Sequence, residues 1–175
     1  MTKAELILCF NQGLGREFET LLIDQGDEPL YLPKDARCPF HRIYFAHGFF
    51  ASALHELAHW CLAGERRRQL VDYGYWYEPD GRSEAKQAEF ESVEVKPQAI
   101  EWAFHLALER YFDVSLDNTG DVATDSAGFK AKVAEQLARY QQHGFPPRAA
   151  RLLDDLKGHR QLKQSLLQRG SVYLG

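Results

Sequence analysis

Cysteine is scarce in this chain: there are three, Cys9, Cys38 and Cys61, and no C-x-x-C pair. That odd, scattered set excludes a disulfide framework and a four-cysteine zinc site, and it reads as buried free thiols in a reducing cytosol. No stretch reaches the roughly 18 uninterrupted apolar residues of a transmembrane helix. The opening segment, MTKAELILCFNQGLGREFET, lacks the long apolar core and small-residue cleavage site of a signal peptide. A cytoplasmic protein with no membrane partner is therefore expected. Basic charge is not in excess either. With 21 Lys and Arg against 25 Asp and Glu, the net charge is −4, which gives no electrostatic footprint for nucleic acid and mildly favours a basic or neutral substrate. Repeats, low-complexity tracts and linkers are absent, so residues 1–175 read as one domain. Hydrophobic residues at 45% and charged ones at 26% are globular values.

What is present is a mixture of helical and β-rich segments. Leu6, Phe10, Leu14, Phe18 and Leu21–Leu22 recur at helical spacing, although Gly13 and Gly15 weaken the middle of that helix. Pro29, Pro33 and Pro39 then leave room for a short edge strand at Leu30–Leu32. Arg42–His47, RIYFAH, reads as a central strand, and Val71–Tyr77, VDYGYWY, has the aromatic bias of a second one. Asp80-Gly81 reads as a turn and Ser83 as an N-cap for a long helix over Phe90–Phe112, with Pro97 as a kink or a new first turn. A polar loop and two amphipathic helices, Ala127–His143 and Pro147–Gln168, follow. The expected fold is α+β: a small sheet packed against helices.

The chemistry concentrates in ASALHELAHWCLAG, residues 51–64, which contains His55-Glu56-x-x-His59. The neighbours are almost all apolar, so burying two imidazoles and a carboxylate there without partners would cost several kcal/mol. Residues four apart share one helix face, so His55 and His59 can aim two nitrogens at one metal ion. Glu56, turned about 100° from His55, could reach metal-bound water from the side as a general base, its role in zinc peptidases.

A third protein ligand is expected. Glu91, Glu94, Gln98, Glu101 and His105 follow at spacings of three and four and form one stripe on the long helix. By pattern alone that stripe is equally the helix's solvent face, and pattern does not choose among its glutamates. His41, His47, His105, His143 and His159 read as structural or surface residues, with His47 the most tempting as a further ligand. Arg66-Arg67-Arg68 reads as cations placed favourably beyond a helix C-terminus.

The phrases EPLYLP, IYFAHGFFASALHELAHWCLAG, RRRQLVDYGYWYEPDGR and VEVKPQAIEW closely resemble the bacterial elongation factor P hydroxylase family, densely from Glu28 to Tyr111. The resemblance implies hydroxylation of the lysine of elongation factor P after a β-lysyl group has been attached. It implies a centre of two histidines and one carboxylate for Fe(II), with dioxygen, on a fold like a bacterial metal-dependent rRNA endonuclease with a zincin-like arrangement. Matched by motif, the metal ligands fall on His55, His59 and Glu94. Zinc could occupy such a site in purified protein, and the resemblance leaves open 2-oxoglutarate or another reductant. Asp72, Glu78, Asp80, Glu84 and Glu91 could attract a substrate bearing ammonium groups.

A zinc metallopeptidase or other metal-dependent hydrolase is the main rival, because H-E-x-x-H with a downstream Glu describes that class too. An endonuclease rests on fold analogy alone, and the net negative charge argues against it.

Overall fold

The computed structural model describes residues 1–74, 84–115 and 126–172, with side chains described except at 84–88 and 166–172. The expected turn at Asp80-Gly81 and cap at Ser83 lie outside the described residues, as does most of the polar loop expected after Phe112.

Helix α1, Lys3–Gln12, begins at a capping box in which Thr2 and Glu5 bond each other's backbone amides. It buries Leu6 and Phe10. The single long helix expected here is broken. Gly13 caps α1, a short α2 spans Leu14–Glu17, and Glu19 turns at φ 48° into strand β1, Thr20–Ile23. Leu21 and Leu22, expected on the helix, lie in that strand. A Cβ on Gly15 would stand 2.6 Å from the Thr20 carbonyl and 2.7 Å from the Phe10 ring, so only glycine lets the chain double back so tightly.

Strand β2, Leu30–Leu32, occupies the expected edge position, and β3 spans His41–Tyr44. The sheet order is β1-β3-β2, with β3 parallel to β1 and antiparallel to β2. Ile43 is level with Leu22 on one side and Tyr31 on the other, and all three are buried. The central strand is shorter than expected. After Phe45, residues Ala46–Gly48 form a 3-10 turn with His47 at φ 49° and Gly48 at φ 65°. That turn delivers the chain into helix α3, Phe50–Leu62.

The second expected strand is not formed over its described part. Val71–Gly74 is a 3-10 turn with Asp72 at φ 47° and Tyr73 at φ 56°; Tyr75–Tyr77 lie outside the described residues. Asp72 Oδ1 accepts the Tyr31 amide at 2.8 Å, and the Tyr73 ring stacks on Tyr31 at 4.1 Å. These contacts to β2 hold the backbone in a left-handed conformation that an extended strand would not allow.

Helix α4, Glu84–Ala107, runs through Pro97, which removes the amide that would have reached the Val93 carbonyl. Helices α5, Ser126–His143, and α6, Pro147–Val172, complete the fold. Among the described residues no helix is long and apolar enough to cross a membrane. Trp60 of α3 is fully buried, with Phe10 and Phe18 edge-on to it at 5.1 and 5.6 Å. The result is a helix-rich α+β architecture in which α3 is sandwiched among β3, α4 and α6.

Candidate metal centre

Helix α3 has no side-chain N-cap, so its ends are fixed by tertiary bonds. At its N-terminus Ser52 Oγ accepts the Ala46 amide at 3.0 Å, tying the first turn to the preceding loop. At its C-terminus the Arg148 guanidinium, from α6, donates to the carbonyls of Trp60 at 2.8 Å, Cys61 at 3.1 Å and Ala63. Arg68 adds a bond to Ala63 O at 2.9 Å, and Arg67 one to Tyr73 O at 3.2 Å. Two of the three consecutive arginines thus serve backbone carbonyls at and beyond the helix end.

With α3 held this way, His55 Nε2 and His59 Nε2 lie 3.1 Å apart. The Glu94 carboxylate reaches across from α4 to both: Oε2 is 3.5 Å from His55 Nε2, and Oε1 is 3.2 Å from His59 Nε2. One ligand atom from each of the three lies within 4.8 Å of the others, a grouping that could hold a metal ion. Separations just above 3 Å suit neighbouring donors on a common ion roughly 2 Å from each. Two neutral nitrogens and one carboxylate also match the preference of divalent iron or zinc for imidazole with a hard oxygen.

The stripe on α4 faces inward. Glu94 is 2% exposed, Gln98 1%, Glu101 7% and His105 6%, so the solvent-face alternative is wrong for these four. Only Glu91 lies at the stripe's edge, 3.5 Å from Lys132. Gln98 donates to Glu94 Oε2 at 3.4 Å and exchanges two bonds with the Ser115 backbone, bracing the carboxylate against the segment after α4. Glu101 Oε2 accepts from His55 Nδ1 at 2.8 Å. An ionised carboxylate can only accept, so Nδ1 carries the hydrogen of that bond. His105 Nε2 sits 3.6 Å from the other Glu101 oxygen. Glu101 as the partner of His55 is what sequence reasoning did not single out; its signal was its place in the stripe, two turns beyond Glu94.

The electrostatics show how strongly this cluster attracts positive charge. Burial works against a charged His55, yet the hydrogen bond to Glu101 and the charges of Glu101, Glu94 and Glu56 outweigh it and raise the imidazole to about 10. Burial works against an ionised Glu94 as well, but the two histidines and Gln98 hold it down at about 2. Glu101 is likewise lowered against its burial by His105 and His55. A cluster that binds a proton so tightly has the donor set and charge for a divalent cation.

Glu56 is half-buried beside this group, and burial pushes its carboxyl up while the two histidines pull it back. Glu94 and Asp72 push it further up. Among the described residues no hydrogen bond or ion pair engages its carboxylate. His47 is exposed and packs against Phe49, away from the cluster. His41 is buried and structural, bonded to the Tyr31 hydroxyl at 2.9 Å and the Lys34 amide at 3.2 Å. A cavity of about 300 Å³, walled by His59, Leu62, Ala63, Val93, Lys96 and Pro97, opens beside the cluster. All three cysteines are free, and of these only Cys61 is fully buried.

Comparison with known proteins supports one family. A curated relative from Haemophilus influenzae, named elongation factor P lysine hydroxylase, is 50% identical over 148 residues, covering 85% of this chain and 83% of its own. The sequence pattern of the family described as elongation factor P hydroxylase matches residues 9–169. With nearly the whole chain matched and His55, His59 and Glu94 gathered at its centre, the chain belongs to the elongation factor P hydroxylase family.

Proposed function

We propose that this protein hydroxylates a lysine side chain of elongation factor P, after attachment of a β-lysyl group, as a non-haem Fe(II) enzyme of the cytoplasm. The observation that carries the reading is the convergence of His55, His59 and Glu94 in a chain of this family. Two histidines and one carboxylate would hold the metal on one side and leave neighbouring positions open. Iron bound there would supply the dioxygen chemistry that an unactivated C–H bond demands and side chains alone cannot provide.

The remaining residues have distinct tasks. Glu94, braced by Gln98, supplies the negative charge that offsets a dication. Leu62, Ala63, Val93 and Pro97 offer apolar contacts for methylene groups next to His59, while Ser92 and Lys96 make the rest of the cavity wall polar. Glu56 places a carboxylate beside the cluster, within reach of the charge of Asp72, where it pairs with the ammonium group of a lysine-bearing substrate. The H-E-x-x-H helix with a downstream carboxylate helix fits the zincin-like arrangement implied by the sequence resemblance.

The test is incubation with β-lysylated elongation factor P, Fe(II) and oxygen, with intact-protein mass as readout. A gain of one oxygen atom on the modified lysine, absent with the His55→Ala variant, is the expected result. Unchanged substrate under every reductant tried, with the iron demonstrably bound, would reject the reading.

A further inference from the structure

We infer that Glu101 is a positioning residue for the centre: by accepting from His55 Nδ1 it aims His55 Nε2 at the ion, an inference that rests on the metal reading above. The two histidines of the motif are not equivalent. His55 has both ring nitrogens engaged, Nε2 toward His59 and Glu94 and Nδ1 on Glu101 at 2.8 Å. Among the described residues His59 has an inter-residue bond at Nε2 only, and its ring borders the cavity.

Glu101 is suited to this task by where it stands. It is buried, so water does not compete for its oxygens, and a carboxylate so placed needs donors to offset its desolvation. His55 provides one on one oxygen, and the buried His105 ring stands 3.6 Å from the other. His105 is itself held edge-on by Phe112 at 5.5 Å, which limits how far Glu101 can swing. Glu101 and Glu94 lie two helical turns apart on one face of α4, either side of Pro97, so one helix sets both a ligand and the group that orients another ligand. With Nδ1–H committed to the carboxylate, the imidazole can offer only Nε2 to a metal, and its ring plane is fixed before the ion arrives.

The experiment uses Co(II) and Zn(II) as probes with the parent protein, Glu101→Gln and Glu101→Ala. Affinity comes from competition with a chelator, ligand geometry from the cobalt absorption spectrum, and the His55 Nδ1–H proton from NMR of the zinc form. Glu101→Ala should lose roughly 10–100-fold in affinity, as such partners of metal-bound histidines typically do. It should also lose the exchange-protected Nδ1–H signal and change the cobalt spectrum. Glu101→Gln keeps an acceptor oxygen without the charge, so it should retain the proton signal and fall between the two in affinity. If Glu101→Ala fails to fold, Glu101→Gln decides: parent-like affinity together with an unprotected Nδ1–H overturns the inference. A folded Glu101→Ala with parent-like affinity and spectrum also overturns it. A parent protein that binds neither ion overturns the metal reading instead.

Discussion

His55 and His59 present their Nε2 atoms 3.1 Å apart, one helical turn from each other on α3. At that distance one nitrogen donates a proton to the other, as the strongly basic His55 can in the metal-free protein, or a bound cation takes the proton's place. Replacing either with alanine should therefore empty the site while the remaining core still folds, because Trp60, Leu57 and Ala58 pack independently of the ligands. Metal content after dialysis and urea unfolding are the measurements. His55→Ala should cost about 1–3 kcal/mol more than His59→Ala in the metal-free protein, since it strands the buried Glu101 oxygen as well. Equal losses would show that the Glu101 bond contributes nothing to the fold.

The glutamates of α4 should rank by what each touches. Glu94→Ala removes the carboxylate that spans both histidines and should abolish metal binding. Glu91→Ala should keep the metal and change stability by no more than about 1 kcal/mol, because its partner is the exposed Lys132 at 3.5 Å. Metal analysis of the two purified variants decides. A metal-loaded, active Glu94→Ala alongside an empty Glu91→Ala would reverse the ligand assignment.

This ranking was only half legible beforehand. The spacing of Glu91, Glu94, Gln98, Glu101 and His105 put them on one face, but a charged face is ordinarily solvated, and local pattern carries no information about imidazoles arriving from α3. The choice of Glu94 came from the resemblance, and the Glu101 partnership depends on the register between α3 and α4. Short strands were harder. Leu30–Leu32 was bounded by prolines and could be read, whereas Leu21–Leu22 continued a helical spacing and became a strand only through pairing with β3. Val71–Tyr73 has strand-like composition, yet its backbone is bent where Asp72 accepts a long-range bond from the Tyr31 amide. The helical segments from α3 onward were legible as helices, but the one expected over Phe90–Phe112 runs from Glu84 to Ala107.

Arg148 should matter to stability from outside the site. Its guanidinium lies 4.8 Å from the Trp60 ring centroid and serves three carbonyls at the end of α3. Arg148→Ala leaves those acceptors without that donor and should lower unfolding free energy by about 2–3 kcal/mol in urea titrations. Arg148→Lys should recover less than half, because its shorter ammonium lacks the delocalised guanidinium that sits over the Trp60 ring while Nη2 reaches the carbonyls. A loss under about 0.5 kcal/mol for the alanine variant would mean that water replaces the cap freely.

Acid should loosen α1 in a defined window. The Glu5 carboxylate accepts the Thr2 amide and pairs with Lys163 of α6, which lowers it from 4.5 to about 2. A depressed carboxyl stabilises the fold fully above its unfolded value and loses that contribution as pH falls through the folded one. The stability difference between the parent and Glu5→Gln should therefore be constant above about 4.5 and shrink toward pH 2. Thermal unfolding of both proteins across that range reads it directly. A difference that stays flat throughout would show that the cap is not coupled to folding.

Glu56 separates the two chemistries that the motif allows. In a zinc hydrolase the residue after the first histidine must take a proton from metal-bound water, so Glu56→Gln should cost several orders of magnitude in rate. In a hydroxylase no water has to be deprotonated as a nucleophile. Glu56 is half-buried beside His55 and His59, with the charge of Asp72 close by and no hydrogen-bonding partner among the described residues. That setting suits a carboxylate that pairs with an incoming ammonium group. Glu56→Gln keeps the shape and a dipole, so hydroxylation should persist at a measurable fraction, with the loss falling mainly on KM for β-lysylated elongation factor P. The parent should show no peptidase activity with zinc bound. Cleavage of a peptide library by the zinc-loaded parent, abolished in Glu56→Gln, would move the assignment to a hydrolase. A Glu56→Gln variant that retains metal yet loses all hydroxylation at saturating substrate would instead make this carboxylate a participant in the chemical step.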